Sequence, residues 1–234
     1  MRRPALTALA LAAALPLALT LTACSSGSST AAPKQSASKD PNAHLATGAQ
    51  LKKALAPASF FASGFAEVKD GTRDTGSAYI APSAGPASAK PDCELLDGTS
   101  WINTTGVGGV SFAQSDYLDK NTSEEVAQEV DTYRGSTAAK VMQDLHRVVA
   151  ACASFTDSQT HTKVKVTGEA ASGPGDEAYT ITLTDSAWEN GSTLIASRVG
   201  TNVVTVLSSD GHDNGAATAK KLTARIAGSL RKAA

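Results

Sequence analysis

The chain has 234 residues, with 21 Lys and Arg against 22 Asp and Glu, a net charge of −1 and only 5% aromatic residues. Near-balance without a basic block argues against nucleic acid as a partner. Three cysteines are too few for a disulfide-dense scaffold, and no motif for a metal or an organic cofactor occurs.

Met1-Arg2-Arg3 precedes an apolar run from Ala5 to Ala23, the layout of a secretory signal. A run of that length also meets the ~20-residue criterion for spanning a bilayer, so the junction decides. Leu21-Thr22-Ala23-Cys24 is similar to the bacterial lipobox, in which the Cys thiol takes a diacylglycerol and the chain is cut before it. The expectation is a signal peptide over 1–23 and a lipidated Cys24. Two or more acyl chains give stable attachment where one does not, so the protein is expected at the cell membrane, anchored on its extracytoplasmic face.

Residues 24–43 are rich in Ser, Ala and Pro and nearly free of large apolar side chains. Such a stretch cannot bury enough surface to offset its ordering entropy and reads as a disordered tether. Ser36-Ala37-Ser38-Lys39 matches S-x-x-K, but no K-T-G or S-D-N accompanies it. Residues 44–234 remain as one domain, large enough for a modest core.

Within it, Thr47 can cap a short helix bearing Leu51 and Leu55 and ended by Pro57. Extended pieces are expected over Gly64–Lys69 and Ser77–Ile80, then a Pro- and Ala-rich loop over 81–91 and a turn at Cys93–Leu96. Val110–Leu118 reads as a strand, with turn chemistry at Asp119–Thr122. Glu124–Arg134 suits a helix through Val126, Val130 and Tyr133, or a strand with Val126, Gln128, Val130 and Thr132 on one face; the strand, completing a hairpin, is preferred.

From Thr137 onward, Val141, Leu145, Val148, Val149 and Cys152 form one apolar stripe of a helix, with Lys140, Asp144 and Arg147 opposite. Strands follow at Val164–Val166, Tyr179–Leu183, Leu194–Val199 and Val203–Leu207, the last two joined by Gly200-Thr201-Asn202. A closing helix over Gly215–Arg231 turns Leu222, Ile226 and Leu230 inward. The expected class is α+β: two layers, an antiparallel sheet of about five to seven strands and three flanking helices.

With Cys24 acylated, Cys93 and Cys152 are left as an even pair in an oxidising compartment, where a disulfide is expected. It closes a loop worth ~4 kcal/mol in the chain-entropy model.

The mature domain resembles the PknH-like extracellular sensor domain, found outside actinobacterial receptor kinases and in free-standing lipoproteins. The matching pieces include the Leu51–Leu55 helix, Cys93 to Trp101, Tyr133-Arg134-Gly135 and the helix ending at Cys152-Ala153-Ser154-Phe155. Gly175-Asp176-Glu177-Ala178 and Arg198-Val199-Gly200-Thr201-Asn202-Val203-Val204 also match, as does the terminal helix. The resemblance implies a sheet with flanking helices, a cleft and a sensing role without a settled ligand, and it supplies no catalytic residues. Relatives with kinase domains carry a second disulfide for which this chain lacks the cysteines.

No zinc-binding spacing joins His44, His146, His161 and His212. Asp210–Gly215 mimics a calcium loop, but its twelfth position is Lys221; a turn capping the last helix is expected instead. Asp176 or Glu177 can pair with Arg198 across neighbouring strands. Trp101 and Trp188 suit either the lining of a ligand cleft or the core, with the core preferred, and no G-x-S-x-G elbow occurs. The leading expectation is a non-catalytic sensor or ligand-binding lipoprotein whose partner is a small molecule, a glycan or an envelope protein. The rival is an envelope hydrolase whose site the linear order conceals.

Overall fold

The computed structural model describes residues 40–82, 90–173 and 175–233. The lipobox, Cys24 and the tether up to residue 39 lie outside them. Asp40–Ala43, assigned to the tether from composition, is a turn closed by Ala43 N–H to the Asp40 carbonyl. Arg134 Nε donates to Asn42 Oδ1 at 2.8 Å, so the folded unit begins earlier than expected.

Thr47 opens helix α1 (Gly48–Lys52) with a full capping box, its side chain accepting from Gln50 N–H while the Gln50 side chain accepts from Thr47 N–H. Eight strands are described: β1 (Phe65–Asp74), β2 (Ser111–Asp119), β3 (Glu125–Thr132), β4 (Ser154–Thr156), β5 (Lys163–Ala171), β6 (Glu177–Thr184), β7 (Ser192–Val199) and β8 (Asn202–Ser208). They form one antiparallel sheet in the order β1-β2-β3-β8-β7-β6-β5-β4. Helix α2 (Thr137–Ala151) crosses between β3 and β4, and α3 (Ala216–Ala233) ends the chain. A 3₁₀ turn at Ala58–Phe60 precedes β1, and between β1 and β2 lie two more 3₁₀ segments, Cys93–Leu96 and Thr99–Thr105. The class is therefore α+β with an antiparallel sheet, and the strand number exceeds the expected five to seven.

Strand β4 is the unforeseen one. Its three residues, too few to show a period, pair with Lys163–Lys165. Ser77–Ile80 forms no strand; Ile80 N–H meets the Val110 carbonyl and the pairing stops there. The β1–β2 register jumps from Val68↔Asp116 to Arg73↔Gln114, so β1 bulges over Lys69–Thr72.

The layer count is also corrected: helices cover both faces of the sheet. One core joins α2 and the 3₁₀ residues Trp101 and Ile102 to Val164, Ile181, Leu194, Ala196, Val203 and Leu207. The other joins α1 and α3 to Ala113, Val126, Val130, Ile195, Val199, Val204 and Val206. Consecutive residues of β7 and β8 thus enter opposite cores, as central strands buried on both sides do. On α3, Leu222, Ile226 and Leu230 are buried as the stripe requires, and on α2 so are Val141, Leu145, Val148 and Val149. Asp144, expected on the wet side of α2, is only 4% exposed; Lys140 Nζ donates to it at 2.6 Å and Arg147 grips its other oxygen.

The Cys93–Cys152 disulfide is present, with Cα atoms 5.5 Å apart. It ties the end of α2 to the 3₁₀ segment Cys93–Leu96. Gln128, fully buried on β3, exchanges two hydrogen bonds with the Ala56 backbone and donates to Ser115 Oγ, fastening the chain after α1 onto the sheet.

Candidate functional site

The predicted ion pair forms at the β7–β8 turn. Glu177 stands opposite Arg198 in the β6–β7 register, and Asp176 precedes the strand, so both carboxylates reach the same guanidinium. Arg198 Nη1 lies 2.9 Å from Asp176 Oδ2, and Nε lies 3.5 Å from Glu177 Oε1 without hydrogen-bond geometry. Asp176 Oδ2 also accepts from Gly200 N–H at 2.8 Å, and Asp176 N–H donates to the Arg198 carbonyl at 2.7 Å. Gly200 has φ +61°, a left-handed turn position that glycine occupies without strain. The motif Gly-Asp-Glu is therefore a clasp on the turn.

This clasp borders a cleft of about 770 Å³ between α1, the β7–β8 turn and the end of α3, within the size range of small-ligand sites. Leu45, Leu51, Val199 and Leu230 supply its apolar wall, and Lys53, Asp176 and Arg231 lie among its polar groups. Much of the polar lining is already committed: Gln50 to the capping box, Asn202 to Thr132 and Val199, and Asp176 to Arg198.

The opposite face of the sheet holds a second constellation that the sequence reading missed. Glu129, Asp131 and Tyr133 follow one another at two-residue spacing along β3 and its exit, and so point to the same side. Ala127 and Tyr133 belong to the α2-side core, which fixes that side. Thr205 faces Glu129 directly across the β3–β8 ladder. Asp131 Oδ2, Tyr133 OH, Thr205 Oγ1 and the Trp101 indole Nε1 are all buried without a hydrogen-bond partner. Orphaned buried polar atoms are rare enough in folded proteins that each calls for an account.

Burial pushes the Asp131 carboxyl well above the usual carboxylate range, and the like charge of Glu129 adds to it. Glu129 is raised in turn by its own desolvation. The Tyr133 phenol is raised by burial and then by those two carboxylates. Burial of each carboxyl and the like charge of the other both favour the protonated form of the pair. Half-buried Phe112, Gln114 and Asp116 carry this face outward onto β2, with Arg73 Nε donating to Gln114 Oε1 at 3.2 Å. Burial likewise raises Asp116.

The remaining candidates fall apart spatially. His146 lies 4.0 Å from the Tyr179 ring, and His44 and His161 occupy left-handed turn positions. No histidine side chain is hydrogen-bonded to another side chain among the described residues. The Asp210–Gly215 loop caps α3: Asp213 Oδ2 accepts from Ala217 N–H, and Asp210 Oδ2 from Thr218 Oγ1. Trp101 is fully buried, and Trp188 packs against the same core. No group of acidic, His or Cys side chains suited to a metal ion is found among the described residues.

Neither protein-family models nor the curated proteins yield a match to this chain.

Proposed function

We propose that this chain is a lipid-anchored extracytoplasmic binding protein of the PknH-like sensor type. On this reading Cys24 carries the anchor, and the domain takes a small polar molecule without transforming it. One observation carries it: the orphaned Trp101, Asp131, Tyr133 and Thr205 atoms gathered on the α2 side of the sheet. They present the Trp101 indole N–H, the Tyr133 and Thr205 hydroxyls and the Asp131 carboxyl, the small set of directed polar groups in apolar surroundings by which binding sites orient a ligand. A hydroxylated compound, able to donate and accept at once, matches that set better than a bare cation, which the indole N–H cannot serve.

The test is mass spectrometry of small molecules retained on the purified chain. A bound hydroxylated species that is lost from an Asp131→Asn, Thr205→Val double variant supports the reading; a chain that retains nothing, or releases a cleaved product, overturns it. The anchor is tested separately. Replacing Cys24 by Ala should shift the protein out of the membrane fraction and remove the lipid mass from its N-terminal peptide; unchanged fractionation would sink the lipoprotein assignment.

A further inference from the structure

Helix α3 carries Lys220, Lys221, Arg225, Arg231 and Lys232 and no acidic residue anywhere along it. All five are exposed and, at 3.6 residues per turn, fall on the side away from Leu222, Ile226 and Leu230. A solvated helix commonly offsets such charge with carboxylates one turn away, and here there are none. None of the five has an ion-pair partner among the described residues. Lys221 and Arg225 instead sit 5.0 and 5.6 Å from the Phe60 ring centre.

Lys53, also exposed, extends this surface: it borders the same cleft as Arg231 and a groove shared with Arg225. Carboxylates border the stripe without pairing with it: Glu67 shares a groove with Arg225 and Glu169 one with Lys220, while Asp210 and Asp213 are engaged in capping the first turn of α3. Asp176, near Arg231, is taken by Arg198.

Position adds to charge. His44, Leu45 and Ala46 line the cleft together with Ser229–Arg231, so the chain enters the domain beside the C-terminal end of α3. Fifteen residues lie between Cys24 and Asp40, and the connection spans at most ~55 Å. A chain anchored at Cys24 therefore holds this basic surface within reach of the bilayer, where tethering raises the effective concentration of headgroups.

We propose that the exposed stripe of α3, with Lys53, is a docking surface for the anionic phospholipid headgroups of the membrane that bears the anchor. The inference rests on the lipid-anchored reading for its geometry. The domain then lies with α3 down, and the Glu129–Asp131–Tyr133 face, on the other side of the sheet, turns outward.

The test uses the non-acylated chain from Ser25 onward, which contains both cores entire, so its outcome does not depend on whether Cys24 is lipidated. It should co-sediment with vesicles of equal parts phosphatidylglycerol and phosphatidylcholine, not with phosphatidylcholine alone, and release as salt rises. Each cation near such a surface contributes about fivefold in affinity, so the Lys220→Gln, Lys221→Gln, Arg225→Gln, Arg231→Gln, Lys232→Gln variant should bind at least ~100-fold more weakly with its near-ultraviolet dichroism unchanged. An Arg73→Gln, Arg147→Gln variant, altered on the α2 side of the sheet, should bind as the parent does. No binding to the anionic vesicles, equal loss in both variants, or preference for soluble polyglutamate over vesicles would overturn the proposal.

Discussion

Asp131 makes folding stability depend on pH in a direction opposite to that of most acidic residues. Its carboxyl is 6% exposed, with one oxygen lacking a partner, and its proton affinity is raised in the folded chain. A carboxyl whose folded pKa exceeds its unfolded value of 3.8 binds more protons folded than unfolded between those two values. Stability therefore declines as pH rises from 3.8 through the folded value, and levels off above it. One proton's difference corresponds to a slope of about 1.4 kcal/mol per pH unit. Asp131→Asn removes that proton site while keeping the shape.

Urea unfolding of parent and variant at several pH values between 4.5 and 7 is the assay, ~0.5 unit apart. Asp97, Asp116, Glu125 and Glu129 are also raised by burial, so both proteins will lose stability with rising pH. The readout is the difference in slope, expected to approach 1.4 kcal/mol per unit somewhere in that range. A constant offset, such as the ~1–3 kcal/mol cost of an unpartnered buried amide, does not alter it. Parallel curves across the whole range would refute the assignment of a retained proton to Asp131.

Two further perturbations address the frame. Cys152→Ala should cost ~4 kcal/mol, the chain-entropy value for its 59-residue loop; Cys93→Ala and the double variant should cost about the same in urea unfolding, and a clearly additive double variant would contradict the shared bond. Gly215→Ala should lower the thermal midpoint, because φ is +77° and a Cβ would collide with the Ser208 carbonyl. Gly228→Ala, inside α3 with open space around its Cβ position, should raise it through an expected gain of ~0.5–1 kcal/mol.

The apolar stripes of α2 and α3 and the alternation in β5 and β6 were readable because one face of each meets a core and the other meets water. The β7 and β8 residues Leu194-Ile195-Ala196 and Val203-Val204 carry little such contrast, since both faces are covered, and period alone cannot report a second helical layer. Asp144 misled for a related reason: its charge marked the wet side of α2, yet Lys140 and Arg147 close over it. The orphaned polar line was legible in part. Once Glu124–Arg134 is a strand with Val126, Gln128 and Val130 on one face, Glu129, Asp131 and Tyr133 must share the other. Trp101 was already open to a cleft as well as a core role; what the sequence withheld was its meeting with Thr205 on this line, brought about by a 3₁₀ segment and a strand more than seventy residues downstream. The Arg198 pairing was accessible because it needs only the β6–β7 hairpin.

The two outer strands bear on how such a chain behaves when many copies crowd a single surface. An open strand edge offers unpaired N–H and C=O groups to any neighbour, and confinement to a plane would multiply such encounters. At one end of this sheet β4 has three residues, too short a template for a foreign strand. At the other, β1 is long but breaks register where Lys69, Asp70, Gly71 and Thr72 bulge out, and its exposed side chains are largely charged. The regular edge left open is therefore confined to the part of β5 beyond Val166, which β4 does not reach, and that segment is where a neighbouring strand would have to add.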